Sequence, residues 1–185
     1  MIIMDYEERQ YPAATWISTS AEGPSLTEAS QEMYRRLFSY TQGNNLNGIV
    51  LNATTPVRMR IIPCRGATCP SMFIMSFLIP AELGEGAPYP TDGALYIERE
   101  PALRYVIKMW DSRSFGGRPT ETDWLEQAHQ LAELVRKDMY VEKSFYYTVW
   151  YDPPFQLFNR LNEIWMVKNI ESGKPANTTE GTKRA

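Results

Sequence analysis

The order strand, helix, strand, strand is read twice along this chain. A duplicated unit of that kind buries both copies most simply as two like halves sharing one sheet. In the first half the strand-like runs are Ala14 to Thr19, Val57 to Ile62 and Met72 to Ile79. In the second they are Leu103 to Trp110, Phe145 to Tyr151 and Ile164 to Lys168, with a shorter candidate at Leu95 to Glu98. These runs are rich in β-branched and aromatic residues with a period of two. Each half sets its helix after a strand holding a tryptophan, Trp16 in one and Trp110 in the other. Phe73, Met75, Phe77 and Ile79 alternate with Met72, Ile74 and Leu78, so that strand is apolar on both faces and should be central and covered. Leu103, Tyr105, Ile107 and Met109 alternate with Arg104 and Lys108, which predicts an antiparallel strand with one wet face.

Both helices carry start signals. Ser25 and Glu28 read as a capping box, and Leu26, Ala29, Met33, Leu37 and Tyr40 follow as one apolar stripe that Gly43, Asn44 and Asn45 end. Tyr34 and Phe38 form a second aromatic row beside it, either more core or a ligand-facing edge. The second helix begins near Thr120, buries Trp124, Leu125, Ala128, Leu131, Ala132 and Val135, and ends near Asp138. The predicted class is therefore α+β: a curved antiparallel sheet with two helices. The halves span about residues 5–80 and 92–168 of a single domain, 5–168. Ala81 to Thr91 links them, and the polar segment 171–185 reads as a disordered tail.

Several function classes are disfavoured. The chain has 185 residues, 19 Lys+Arg against 22 Asp+Glu and a pI near 5.3, without the basic face a nucleic-acid partner needs. No run approaches the roughly 18 apolar residues of a membrane-spanning helix. His129 is the only histidine, which removes multi-histidine metal sites. It reads as a solvated helix residue, with haem ligand or catalytic base as the alternatives. No phosphate-binding loop, dinucleotide fingerprint or nucleophile elbow sits in its required context, so the chain reads as a non-enzyme.

Cys64 and Cys69 are compatible with a local disulfide or with free thiols. Together with the triplets Asn52-Ala53-Thr54 and Asn177-Thr178-Thr179 they tilt slightly towards secretion. The chain as it stands reads as cytoplasmic, and as extracellular if a signal peptide precedes it.

What the chain has in excess is large apolar groups, 11 Tyr, 7 Phe, 5 Trp and 9 Met, suited to a core and to a flat hydrophobic ligand. The most distinctive segment is Tyr151-Asp152-Pro153-Pro154-Phe155, followed by Phe158-Asn159-Arg160. Its prolines force an extended loop that presents Phe155 and Phe158, and Arg160 offers a guanidinium fork for a carboxylate.

At these residues the chain resembles the SOUL, or haem-binding protein, family, most closely its haem-binding protein 2 branch. The matching pieces include Tyr6-Glu7 with Arg9 and Tyr11, Ala14-Thr15-Trp16, Thr54 with Pro56-Val57, Phe115-Gly116-Gly117, Tyr151-Asp152-Pro153-Pro154, and Asn162-Glu163 with Trp165. They run in family order from residue 5 to about 168. The resemblance implies a distorted antiparallel β-barrel of two similar β-α-β-β halves with two long helices. It also implies non-covalent binding of haem, protoporphyrin or another tetrapyrrole, on a platform of Met33, Tyr34, Leu37 and Phe38 on the first helix with Phe155 and Phe158 on the loop.

Where some members have a histidine proposed as an axial ligand, this chain has Gln10, so axial histidine ligation from that site is excluded. Basic positions proposed elsewhere to meet the propionates align with Gln31, Ser39 and Gln156. Arg35, Arg36 and Arg160 are then the candidate partners, with Arg36 and Arg160 favoured because they could bracket two carboxylates. Micromolar affinity and little preference for iron are expected, and Leu37→Asp should place a charge in the platform. The alternative is a protein-interaction module that has kept the fold and lost the ligand.

Overall fold

The computed structural model describes residues 5–52, 54–64, 66, 69–111, 119–151 and 161–169. Its elements run β1 (Glu7–Tyr11), β2 (Ala14–Gly23), α1 (Leu26–Thr41), β3 (Val57–Ile62), β4 (Ser71–Leu78), β5 (Leu95–Glu100), β6 (Leu103–Asp111), α2 (Glu121–Leu134), β7 (Tyr146–Trp150) and β8 (Leu161–Lys168). The segment between the halves carries a short 3-10 turn, Ala81–Gly86. Phe115-Gly116-Gly117, the Asp152 to Arg160 loop and the tail lie outside the described residues.

The strands among the described residues form one antiparallel eight-stranded sheet in the order β1-β6-β8-β7-β3-β4-β2-β5. Reversing that order and exchanging β1 with β5, β2 with β6, β3 with β7 and β4 with β8 returns the same order. A pseudo-twofold axis therefore passes between β3 and β7, which pair directly. Each half opens with a strand that crosses over: β1, which the sequence pattern leaves out, pairs with β6, and β5, the shorter candidate at Leu95 to Glu98, pairs with β2. Crossing over puts both leading strands on the sheet edges. The charged edge sequence Glu7-Glu8-Arg9-Gln10 is what such a position tolerates, and it lacks the apolar alternation by which a strand is recognised.

The sheet curls into a distorted barrel. Tyr105 on β6 donates to Glu100 on β5 at 2.8 Å, although those strands lie near opposite ends of the order. Arg58 on β3 also reaches Glu100, through two bonds of 3.0 and 2.8 Å. One face of the curved sheet thus holds Tyr105, Ile107, Tyr147, Val149 and Trp165. The other carries the main core beneath the helices, with Ile17, Met59, Phe73, Met75 and Ile164 from the sheet packed with Met33, Leu37 and Tyr40 of α1 and Trp124 and Leu131 of α2.

Central β4 is covered as expected, paired with both β2 and β3. The expected wet face of β6 is a correction. Its even face carries fully buried Val106, and Lys108 on that face donates to Gln127 of α2 at 2.9 Å, because α2 lies over it.

The helix caps are a second correction. Ser25 caps α1 by accepting from Thr27 N at 3.2 Å, and the carboxylate that meets this helix start is Glu121 of α2, which accepts from Leu26 N at 3.1 Å. The full capping box is on α2, where Thr120 and Asp123 satisfy each other's backbone N–H. The helices therefore converge at their N-termini.

At the far end of α1, Gly43 takes φ +101°, a left-handed turn favouring glycine. Buried Asn45 then ties the loop by donating to Tyr40 O and Ile49 O and accepting from Ile49 N. Cys64 and Cys69 are joined by a disulfide in the β3–β4 connection.

Burial gives the fold an alkaline limit. Tyr40, whose hydroxyl donates to Pro88 O at 2.7 Å, and Tyr146 are both pushed up to about 12 by burial. A phenol raised above its unfolded value, roughly 10, contributes stability that is complete below that pH and is lost as pH rises through 12. Thermal unfolding followed by circular dichroism should show a lower Tm at pH 11 than at pH 9, and equal values would contradict the assignment.

Candidate functional site

The ligand-facing candidates on α1 separate by angle. Successive residues turn by roughly 100° around a helix axis. Met33, Leu37 and Tyr40 point into the main core, each 1% exposed or less, so they back the helix rather than offering it to a ligand. Tyr34 and Phe38 lie on the adjoining flank. Their rings stack, with centroids 6.2 Å apart and planes at 10°, and Tyr34 meets Phe77 of β4 edge-on at 5.3 Å. Phe38 is 48% exposed, a large apolar ring left in water.

Two clefts open from this flank. The smaller, about 170 Å³, is bounded by Tyr34, Phe38, Leu51, Phe77 and Trp150, with Tyr151 at its edge. The larger, about 610 Å³, lies between α1 and α2 over the sheet. Its walls are Tyr34, Trp124 and Trp150, and its floor includes Met59, Met75 and Thr148. Trp124 is braced edge-on by Trp110 at 5.4 Å. Tyr34 and Trp150 border both clefts. Sequence reading assigned Trp124 to the core of α2 and Trp150 to a strand. Only the packing of the two helices across the pseudo-twofold axis brings them to the same opening.

The arginines divide the same way. Arg36 lies about 160° around the axis from both Tyr34 and Phe38. It donates to Glu32 at 2.8 Å and feels Asp92 on its own side, so its geometry does not support the expectation that it meets a carboxylate beside the aromatic row. Arg35 is about 60° from Phe38 and one turn beyond Gln31, which borders the larger cleft. Arg35 donates to Glu32 at 2.6 Å, and hydrogen bonds from Arg36 and Arg35 hold that carboxyl below its ordinary range. Glu32 is thus shared by the two guanidiniums, and Arg35 is the one that lies nearer the aromatic row. Phe155, Phe158 and Arg160 lie outside the described residues.

Neither cleft has histidine among its described lining residues, and His129 sits on the exposed side of α2. No group of three or more potential ligands that could hold a metal ion occurs among the described residues. Gln10 is exposed on edge strand β1, opposite Arg104. Both clefts are thus lined mainly by apolar and aromatic side chains. No described helix is long and apolar enough to cross a membrane.

Comparison with known proteins adds an independent line. The family model described as SOUL heme-binding protein matches residues 3–167. Heme-binding protein 2 of Homo sapiens is 33% identical over 170 residues, covering 91% of this chain and 80% of that protein. Heme-binding protein 1 of Xenopus laevis is 32% identical over 165 residues, covering 89% and 84%. Among solved structures, the EcmrR C-terminal domain superposes with a TM-score of 0.59 at 11% identity, covering 91% of this chain and 100% of that one. A hydrolase encoded by lin2189 from Listeria innocua superposes with a TM-score of 0.53 at 9% identity, covering 88% and 91%. At such identities these two likenesses concern the fold alone.

Proposed function

Since the chain belongs to the SOUL heme-binding protein family, we propose that it binds haem or a related tetrapyrrole non-covalently, as a binding protein rather than an enzyme. The observation that carries this reading is the stacked Tyr34–Phe38 row, its Phe38 half exposed, beside an aromatic-walled opening in a chain of that family. A porphyrin is a flat apolar disc with carboxylates on one edge. Burying its face against Tyr34, Phe38 and Trp150 supplies affinity in proportion to the apolar area removed from water. Phe155 and Phe158, on the loop after Tyr151, complete the platform in this reading. Arg35, on the flank of the aromatic row, meets the propionates, with Arg160 as a second partner.

With no described histidine at the opening, the iron contributes little, so haem and metal-free protoporphyrin should bind with affinities within a few-fold. Phe38→Asp is the direct test, because Phe38 is half exposed and the folded state tolerates its change. It should leave Tm unchanged and weaken protoporphyrin binding at least about tenfold, which corresponds to roughly 1.4 kcal/mol. Arg35→Glu should weaken protoporphyrin but not its uncharged dimethyl ester, and equal loss of both would remove Arg35 from the site. A Phe38→Asp protein that binds like wild type would favour the other reading, a protein-interaction module. The exposed Leu46, Val50 and Tyr89 would then be the surface to examine.

A further inference from the structure

The tetrapyrrole reading places a ligand on one flank of α1, but the shape of the molecule says more about where its bulk goes. We infer that the cleft between the helices receives the apolar part of the macrocycle, with α2 as the second wall of the site and Trp124 as a binding residue. This rests on the tetrapyrrole reading and deepens it.

Size is the first observation. Sites that bury most of a drug-sized ligand measure roughly 300–1,000 Å³. The cleft beside Phe38 is only about 170 Å³, whereas the cleft between the helices is about 610 Å³. The first accommodates an edge of a macrocycle, the second a whole one. The lining is the second observation. Tyr34, Trp150 and Trp124, the last only 7% exposed, line it together with the buried methionines Met59 and Met75, at 1% and 2% exposure. Aromatic walls suit a π-disc, and thioethers adapt to its outline.

Charge fixes the orientation. The one charged residue among the described lining is Glu121, whose carboxylate already accepts from Leu26 N. A propionate inside the cleft would be desolvated without a cation and would face that acid. The carboxylate edge therefore points outward, towards Arg35. Arg35 is nine residues beyond Leu26 on α1, about 13 Å along the axis from the Glu121 end.

The experiment fills the cleft from its rim. Thr27 and Gln31 are exposed on α1 and border the cleft. Trp at either position narrows it while leaving the core untouched. Thr27→Trp and Gln31→Trp, titrated with metal-free protoporphyrin, should each lose at least fivefold in affinity at unchanged Tm. Should one variant fold poorly, the other decides. Two rim variants that bind like wild type, while Phe38→Asp weakens binding, would overturn the inference and leave the tetrapyrrole reading standing, with the ligand on the outer flank only. A wild-type protein that binds no protoporphyrin overturns the reading itself, and the inference with it. Binding insensitive to all of these variants would mean adsorption without a site, overturning both.

Discussion

Leu37→Asp should unfold the protein rather than merely weaken a ligand. Leu37 is 0% exposed and lies in the main core with Met33 and Tyr40. Replacing it removes a full leucine from a packed interior and leaves a carboxylate there without a partner. The expected loss is about 4 kcal/mol or more, a large share of the stability of a domain this size. Chemical denaturation should show a collapsed midpoint or no cooperative transition. Phe38→Asp, one residue on and half exposed, should leave the midpoint where it was. A Leu37→Asp protein as stable as wild type would mean that α1 is not seated on the sheet as described. Loss of binding in that variant therefore says nothing about the site, and Phe38 is the position at which binding is tested.

Glu100→Ala should be the next most damaging single change among surface-distant polar groups. Arg58 is 1% exposed, stacks on the Trp16 ring at 3.8 Å and holds Glu100 through both terminal guanidinium nitrogens. Burial alone would lower the Arg58 pKa, and the Glu100 carboxylate more than offsets it, so the arginine stays charged in the interior. Removing Glu100 strands that charge at an expected cost of about 3 kcal/mol. The double change Arg58→Met with Glu100→Leu should recover most of the loss, since apolar replacement of a whole buried pair is often near neutral. A double variant no better than Glu100→Ala alone would show that the pair is not the source of the loss. The same logic applies to Glu163 on β8, 1% exposed, which accepts from Arg9 at 2.9 Å, Tyr151 at 3.0 Å and Trp165 at 2.7 Å, and so ties edge strand β1 to β8 and to the residue just after β7.

Those interior pairs were half visible in the sequence. Arg58 and Arg60 are spaced by two, as are Glu98 and Glu100, and such spacing puts each pair on one face of a strand. The facing partners stayed hidden because β3 and β5 are not neighbours in the sheet and meet only when it curls.

The duplication, both helices and the covered strand β4 were legible because each leaves a strong periodic signal. β1 was not, since a short charged edge strand has none. The α1 start pattern Ser25 to Glu28 reads as a capping box, but the carboxylate that reaches this helix start comes from Glu121 of α2, a contact no local pattern displays. On α1 the apolar stripe and the aromatic row were both readable, but which of them faces the sheet depends on a rotation of roughly 100°, which only packing decides. Trp124 was legible as an apolar residue, and its place at a cleft follows from two helices meeting across an axis that no local pattern displays.

The central claim is that this chain takes up a tetrapyrrole without needing its iron. The most direct measurement is a titration of the purified wild-type protein with haem and, separately, with metal-free protoporphyrin, followed by the Soret band and tryptophan quenching. The account predicts saturation of both at one ligand per chain with affinities within a few-fold. Non-saturating uptake of both, or binding of haem alone, would contradict it.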